Sequence, residues 1–395
     1  MKEIIFILFL LSGAIKPFLD YFHIPTGLDF TLLTALLLSL LLMHDAYQNK
    51  FVIKISILSK YATALLLTLF FLILFSLFYT SSQHYVYEKI LQFFTVLLGF
   101  IYPLFIKKFS VEKFLKWFII IATGLTIVFF PLFITGYKSF STAYANFQSN
   151  PLLSIYQSYL TMGYIIGITL IINTFLSILP TMFRFPISLF LLIVLTTTGA
   201  RGPLFGFIAV TLLFIIYNGF KIKRPKILTM LIGSILIVFM GTYALTKLDI
   251  GSLLERTYDR IVTIEKDSSA NDRLVRAQFV LSKVDTEHIL VGYGFGSFGY
   301  EYTRYDVRSY PHNMIFEILF ELGIFGILVY GTFIISILRQ LIRTKKFLPW
   351  ALFIFLFFNS MKSLSLSDSR ILFGFFAVIL IYHTYQKKQN IGDHS

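Results

Sequence analysis

His312 and Asn313 follow Pro311 directly, where an apolar run opens that ends near Leu338, and an imidazole so placed can move protons. Ser309 can cap a helix beginning here and Pro311 fits its first turn, which puts His312 in that turn. The positive end of a helix disfavours imidazolium, so the ring stays neutral and able to accept a proton. Gly323 lies eleven residues on, about three turns at ~3.6 residues each, so it shares that face. Gly326 is close to the same face, where small residues admit a neighbouring helix. Glu317 and Glu321 fall on the other side and, being unfit for lipid, should meet polar partners inside a bundle. Arg201 is the second group with chemistry in it, set in Thr198-Gly199-Ala200-Arg201-Gly202-Pro203 between two apolar runs. A guanidinium there either snorkels to water from a turn or grips an anion, a phosphate above all, through paired hydrogen bonds.

The polar segment from Lys247 to Pro311 holds nine basic and ten acidic residues, half of all the acids in the chain. Its first half, with Glu255-Arg256-Thr257-Tyr258-Asp259-Arg260 and Asp272-Arg273-Leu274-Val275-Arg276, reads as amphipathic helix whose charges mostly form a solvated face. Its second half gathers Tyr293, Phe295, Phe298, Tyr300, Tyr302, Tyr305 and Tyr310. Aromatics at a membrane boundary and a stacking surface for sugar rings both account for them. Gly292, Gly294 and Gly296 form a GxGxG run, but no βαβ unit surrounds it, so it is no dinucleotide fingerprint. Glycines that let the backbone turn tightly explain it better.

The elements that position these groups must be membrane helices. Hydrophobic residues make up 57% of the 395, charged residues only 14%, and there are 46 phenylalanines. Soluble domains run at about a quarter charged, so lipid must cover much of this surface. The formal charge of +14 sits in short clusters between apolar runs, which argues against a nucleic-acid partner. With no cysteine, disulfides, thiolate metal sites and cysteine nucleophiles are excluded.

Apolar runs at 4–20, 28–45, 61–80, 87–106, 114–135, 155–178, 186–199, 203–220, 227–246, 312–338, 348–363 and 370–385 predict an all-α integral membrane protein of about twelve transmembrane helices. The whole of 1–395 is one polytopic domain: helices 1–9 within 1–246, a large outer loop with short helices at 247–311, then helices 10–12 and a short cytoplasmic tail in 312–395. The break at 198–203 fits a hairpin turn or a kink. Lys2 precedes an apolar stretch and Ser12-Gly13-Ala14 faintly resembles a cleavage site, but Lys16 and Pro17 follow at once, so the reading is an uncleaved first helix. With both termini cytoplasmic, nineteen basic residues fall inside and six (Lys16, Lys89, Lys138, Arg201, Lys362 and Arg370) in short outer loops, as the positive-inside rule requires.

Together these residues resemble the O-antigen ligase and polymerase superfamily. His312-Asn313, nine residues, then Gly323-Ile324-Phe325-Gly326 is similar to its HN-x9-GxxG signature, and Gly292-Tyr293-Gly294-Phe295-Gly296-Ser297-Phe298 to its glycine-rich approach to that histidine. Asn271-Asp272-Arg273 resembles its loop arginine, and Thr198-Gly199-Ala200-Arg201-Gly202 its S/T-x-R-G turn. The likeness runs from about residue 186 onward. A tryptophan frequent after the loop arginine is replaced here by Ala277 and Phe279, which leaves Arg273 and Arg276 both open for that part.

The resemblance implies a GT-C-like, metal-independent glycosyltransferase of the bacterial inner membrane that needs no cofactor. Its donor would be an oligosaccharide on undecaprenyl diphosphate, taken at the outer leaflet of the bilayer. Arg201 and Arg273 would hold the departing diphosphate and His312 would take the acceptor's proton, with inversion at the anomeric carbon. Arg276, Arg308, Tyr310, Asn313 and Glu321 are expected to contact diphosphate or glycan, and Gly294, Gly296, Gly323 and Gly326 to be structural. The Tyr-Pro-His-Asn-Met-Ile-Phe-Glu stretch from Tyr310 favours an O-antigen or capsular polysaccharide polymerase, which can work beside a chain-length regulator protein. The alternative is a ligase that passes the glycan to lipid A-core, and a flippase or transporter is the more distant one.

Overall fold

The computed structural model describes residues 1–24, 29–49, 56–142, 151–176, 178–219, 268–283, 287–344 and 346–392. Within them the chain is helical: α1 Lys2–Tyr21, α2 Phe30–Gln48, α3 Ile57–Phe75, α4 Tyr85–Phe105, α5 Val111–Thr142, α6 Pro151–Gln157, α7 Tyr159–Phe175, α8 Thr181–Thr197 and α9 Arg201–Gly219. Then come α10 Ser268–Lys283, α11 Ser297–Thr303, α12 Met314–Ile342, α13 Phe347–Ser363 and α14 Arg370–Gly392. Eleven of the twelve apolar runs coincide with helices; the run 227–246, with the 247–267 part of the polar segment, lies outside the described residues. Among those described, α1, α2, α3, α4, α5 and α12 are long and apolar enough to cross a membrane, and five further apolar helices are shorter.

The core is built on aromatic and branched side chains between helices. Phe6 of α1 stacks on Tyr102 of α4 at 5.3 Å, while Phe114 and Phe118 of α5 meet Phe375 of α14 at 5.5 and 5.1 Å. Such ring pairs add packing that lipid tails cannot match. α14 lies along α4, α12 along α3, and α1 between α2 and α5.

Polar groups sort to two ends of the bundle. At one, Lys2 pairs with Asp45 at 2.6 Å, the Lys107 amide donates to Asp45 at 2.7 Å, and the Ser110 amide donates to Glu3 at 3.0 Å. At the other, Lys16 pairs with Asp29 at 2.6 Å, and Asp29 caps α2 by accepting from the Thr31 amide at 2.8 Å. The 287–313 segment packs at this second end, against residues 76–86 of the α3–α4 turn. The break at 198–200 is a reversal rather than a kink. Asn173 of α7 bonds Arg184 and Ser188 of α8, so those two run antiparallel, whereas Phe175 of α7 packs on Phe214 of α9 and Ala200 faces Gly163. All six basic residues assigned to short outer loops fall within helices instead: Lys16 towards the end of α1, Lys89 in the second turn of α4, Lys138 towards the end of α5, Arg201 opening α9, Lys362 at the end of α13 and Arg370 opening α14.

Candidate functional site

A helix break organises the site. Gly323 has φ 61° and ψ −160° inside α12, so the regular ladder fails there. The orphaned groups find partners on the approaching segment 289–294. The Tyr293 amide donates to the Phe320 carbonyl at 2.8 Å and the Gly294 amide to the Glu321 carbonyl at 3.0 Å. In return the Ile324 amide donates to the Ile289 carbonyl at 2.9 Å. A membrane helix tolerates a break only where neighbouring protein satisfies the backbone in this way. The small residues therefore admit a loop, not the neighbouring helix expected from their shared face; the atoms nearest a Cβ on Gly326 belong to Leu322 and Ile318 of its own helix. Gly294, at φ +92°, shows why the loop is glycine-rich: a Cβ there would stand 2.5 Å from the Thr80 Cα.

His312 precedes the helix instead of occupying its first turn. Asn313 is the cap, its side-chain oxygen accepting from the Ile315 amide at 2.9 Å and the Phe316 amide at 3.2 Å. The cap expected of Ser309 is thus taken by Asn313, and the Ser309 hydroxyl receives Arg276. His312 has φ 59°, a left-handed conformation uncommon for a side chain of its size, and its half-buried ring meets Tyr310 edge-on at 4.5 Å. Burial first, then the Arg276 and Arg273 guanidinia, push the imidazole down to about 4. It is neutral at physiological pH, as the sequence suggested, but through burial and two arginines.

Both arginines stand on α10, one turn apart. Arg276 is a brace: Nε donates to Asp272 at 2.8 Å, Nη1 to the Ser309 hydroxyl at 2.7 Å and to the Tyr310 carbonyl at 3.2 Å, and its plane covers the Tyr302 ring at 5.0 Å. Arg273 acts electrostatically on both His312 and Tyr310. The Tyr310 phenol is pushed up to about 12, chiefly by burial. Arg308 donates to Asp368 at 2.6 Å, and that carboxylate holds the guanidinium above its usual range.

Most of the aromatics in 291–310 are structural. Phe295 and Phe298 are fully buried, Tyr293 is stacked between His288 and Phe320, and Tyr302 packs on Phe279 and Phe298. Tyr305 and Tyr300 are exposed. Asp306 pins this segment to the α3–α4 turn: it accepts from the Ser82 hydroxyl at 2.7 Å and from the His84 and Gln83 amides at 2.6 and 2.9 Å, capping α4 from more than two hundred residues away. Burial opposes its charge, yet these donors hold the carboxyl below its ordinary range.

Glu321 does not face the site. Its carboxylate takes Lys89 Nζ at 2.6 and 2.7 Å inside the bundle, with Glu317 on the same ammonium at 2.6 Å and all three side chains at most 1% exposed. The polar partner expected for both glutamates is therefore Lys89, which engages the Glu321 carboxylate inside the bundle. Sequence reading missed Lys89 by counting it as an outer-loop lysine. The signal available was a lysine one turn inside an apolar run, a position hard to hold without a counter-charge. Arg201 opens α9 at the same end of the bundle as His312. Its neighbour Gly202 abuts Asn359 and Lys362 of α13, whose end leads into the 364–369 loop that meets Glu317 and Arg308.

A bundle of apolar helices that gathers an imidazole, several guanidinia and a broken helix at one end is a multi-pass membrane protein with its polar site at one face. Residues 186–331 match the family model described as O-antigen ligase, a stretch that takes in Arg201, Arg273, Arg276, His312 and Gly323. The resemblance to the O-antigen ligase and polymerase superfamily is thereby borne out over α8 to the middle of α12. No curated protein matches the chain.

Proposed function

We propose that the protein is a polymerase that transfers an undecaprenyl-diphosphate-linked glycan onto a lipid-linked repeat unit at the outer face of the bacterial inner membrane, both termini being cytoplasmic. The observation that carries this reading is a neutral, half-buried His312 flanked by Arg273 and Arg276 at one end of the bundle. An acceptor hydroxyl would give its proton to the imidazole as its oxygen bonds the anomeric carbon. The bond from that carbon to the diphosphate oxygen breaks, its electron pair leaves with the diphosphate, and the sugar is inverted. Arg201 and Arg273 would stabilise the anion in place of a metal, with Arg276 holding the Tyr310–His312 strap. A bound diphosphate would also offset the guanidinium field on His312 and raise its basicity when it is needed.

Transfer to a lipid A-core acceptor is the second reading, favoured by the description of the matched family. The same fold and chemistry serve both, so the acceptor decides. Purified protein given lipid-linked repeat units, without ATP or divalent metal, should lengthen lipid-linked chains. A His312→Ala variant should lose about 100-fold or more in rate. Equal rates for wild type and variant would end the catalytic assignment. In cells, loss of a polymerase leaves core bearing single repeat units, while bare core with lipid-linked polymer would identify the ligase. A chain-length regulator would act on the polymerase alone, and is proposed on that basis.

A further inference from the structure

We infer that Lys89, through Glu317 and Glu321, is a positioning residue that sets the height and tilt of the His312 site, an inference that rests on the transfer reaction proposed above. Gly323 cuts the first part of α12, residues 314–322, from the helical ladder below it. That piece carries the Asn313 cap and so the seat of His312. Its placement has to come from side contacts, and one buried ammonium holds both of its carboxylates.

Lys89 Nζ lies 2.6 Å from Glu317 and 2.6 Å from Glu321, and stands over the Phe295 ring at 4.6 Å. Glu317 also accepts from the Ser365 hydroxyl at 2.7 Å and the Leu366 amide at 2.8 Å, and Glu321 from the Gly296 amide. Four segments thus meet at one buried point: α4, the half-helix of α12, the glycine loop and the 364–369 loop. Each of the last three leads to the site. The half-helix begins at the Asn313 cap directly after His312, the glycine loop continues through α11 to Arg308 and Tyr310, and the 364–369 loop presents Asp368 to Arg308.

The choice of charges fits positioning better than packing. Two carboxylates four residues apart on one helix repel each other unless a cation lies between them. A buried pair contributes little net stability over an apolar replacement, but its removal by halves is costly and its geometry is narrow. Lys89 therefore fixes a unique docking of the half-helix, where leucines at the same places would let it slide.

The chain has no cysteine, so spin labels can be placed at Tyr87→Cys on α4 and Ile315→Cys on the half-helix itself, both on exposed side chains. In nanodiscs the wild-type background should give one narrow distance distribution. Lys89→Met should broaden or shift it, and Lys89→Arg should restore most of it. The turnover number of Lys89→Met should fall about 100-fold with the KM for donor little changed, the mark of a displaced catalytic group. If Lys89→Met does not fold, the neutral triple variant Lys89→Met/Glu317→Gln/Glu321→Gln replaces it, since it strands no charge. A triple variant with the wild-type distance distribution and wild-type turnover would overturn the inference. Absence of transfer by wild-type protein would instead refute the proposed reaction, and the label distances would still decide whether Lys89 positions the segment.

Discussion

Replacing His312 by glutamine tests the reading of its ring as a proton acceptor held neutral by burial and two guanidinia. The imidazole lies at about 4 where 6.5 is ordinary, through burial first and then Arg276 and Arg273. Between those values the unfolded chain binds a proton that the folded protein refuses. The stability contributed by this group is thus full above pH 6.5 and is lost as pH falls towards 4. At about 1.4 kcal/mol per unit the displacement from 6.5 to about 4 corresponds to about 3.5 kcal/mol. Solvent at the open side of a half-buried ring brings it to about 2 kcal/mol. Melting in detergent from about pH 8 down to about pH 4 should show wild type losing that much relative to His312→Gln. The free enzyme's kcat/KM should stay level across neutral pH, because the ring is already deprotonated, while kcat shows its acid limb at higher pH once a diphosphate offsets the arginines. Parallel melting curves for the two proteins would refute the reasoning, for then neither burial nor the arginines bear on the ring.

Three further outcomes follow from single contacts. Asp306→Ala removes the cap of α4 and the tie of the 294–306 segment to Ser82, and should lower stability by about 1–2 kcal/mol in a thermal or denaturant melt, with Asp306→Asn recovering part. Gly323→Ala should abolish stable expression, since φ is +61° and a Cβ would strike the Leu290 carbonyl group. Gly331→Ala on the same helix meets nothing within 4 Å and should be neutral or stabilising by up to about 1 kcal/mol, as read by detergent-solubilised yield and melting. Arg273→Lys should lower kcat with a diphosphate-linked donor while the NMR signals of labelled His312 stay sharp, whereas Arg276→Lys should lower kcat and broaden those signals. The reason is that Arg276 braces Ser309 and Tyr310 through a fork that lysine cannot reproduce.

What could be read from sequence was whatever apolar period and residue chemistry dictate. Twenty-residue apolar stretches must become helices in lipid because the backbone has no other donor or acceptor there, and eleven runs did so within the described residues. His312, Arg273 and Arg276 were legible as a group because a motif carries them in order along one stretch, and that stretch folds onto itself around Tyr310. Local details went differently where two groups competed for one task. Asn313 outbid Ser309 for the cap, since it lies next to Met314 and its carbonyl reaches two amides, while Ser309 was drawn to Arg276.

Long-range partners were beyond a reading by spacing. Glu321 and Lys89 are 232 residues apart, and only the packing of α4 against the half-helix brings them together. The sequence did carry half of this result, that two glutamates on an apolar helix need a polar partner. It had a candidate too, in a lysine just inside an apolar run, but charge counting by loops placed it in water. The positive-inside rule weighs a lysine by which side of the membrane it is on, whereas a buried ion pair depends on depth. Polar residues one or two turns inside an apolar run are therefore better matched to each other by charge and depth before any are counted as loop residues. Applied here, that order pairs Lys89 with Glu317 and Glu321 from the sequence alone, the arrangement that the packing of α4 against the half-helix realises.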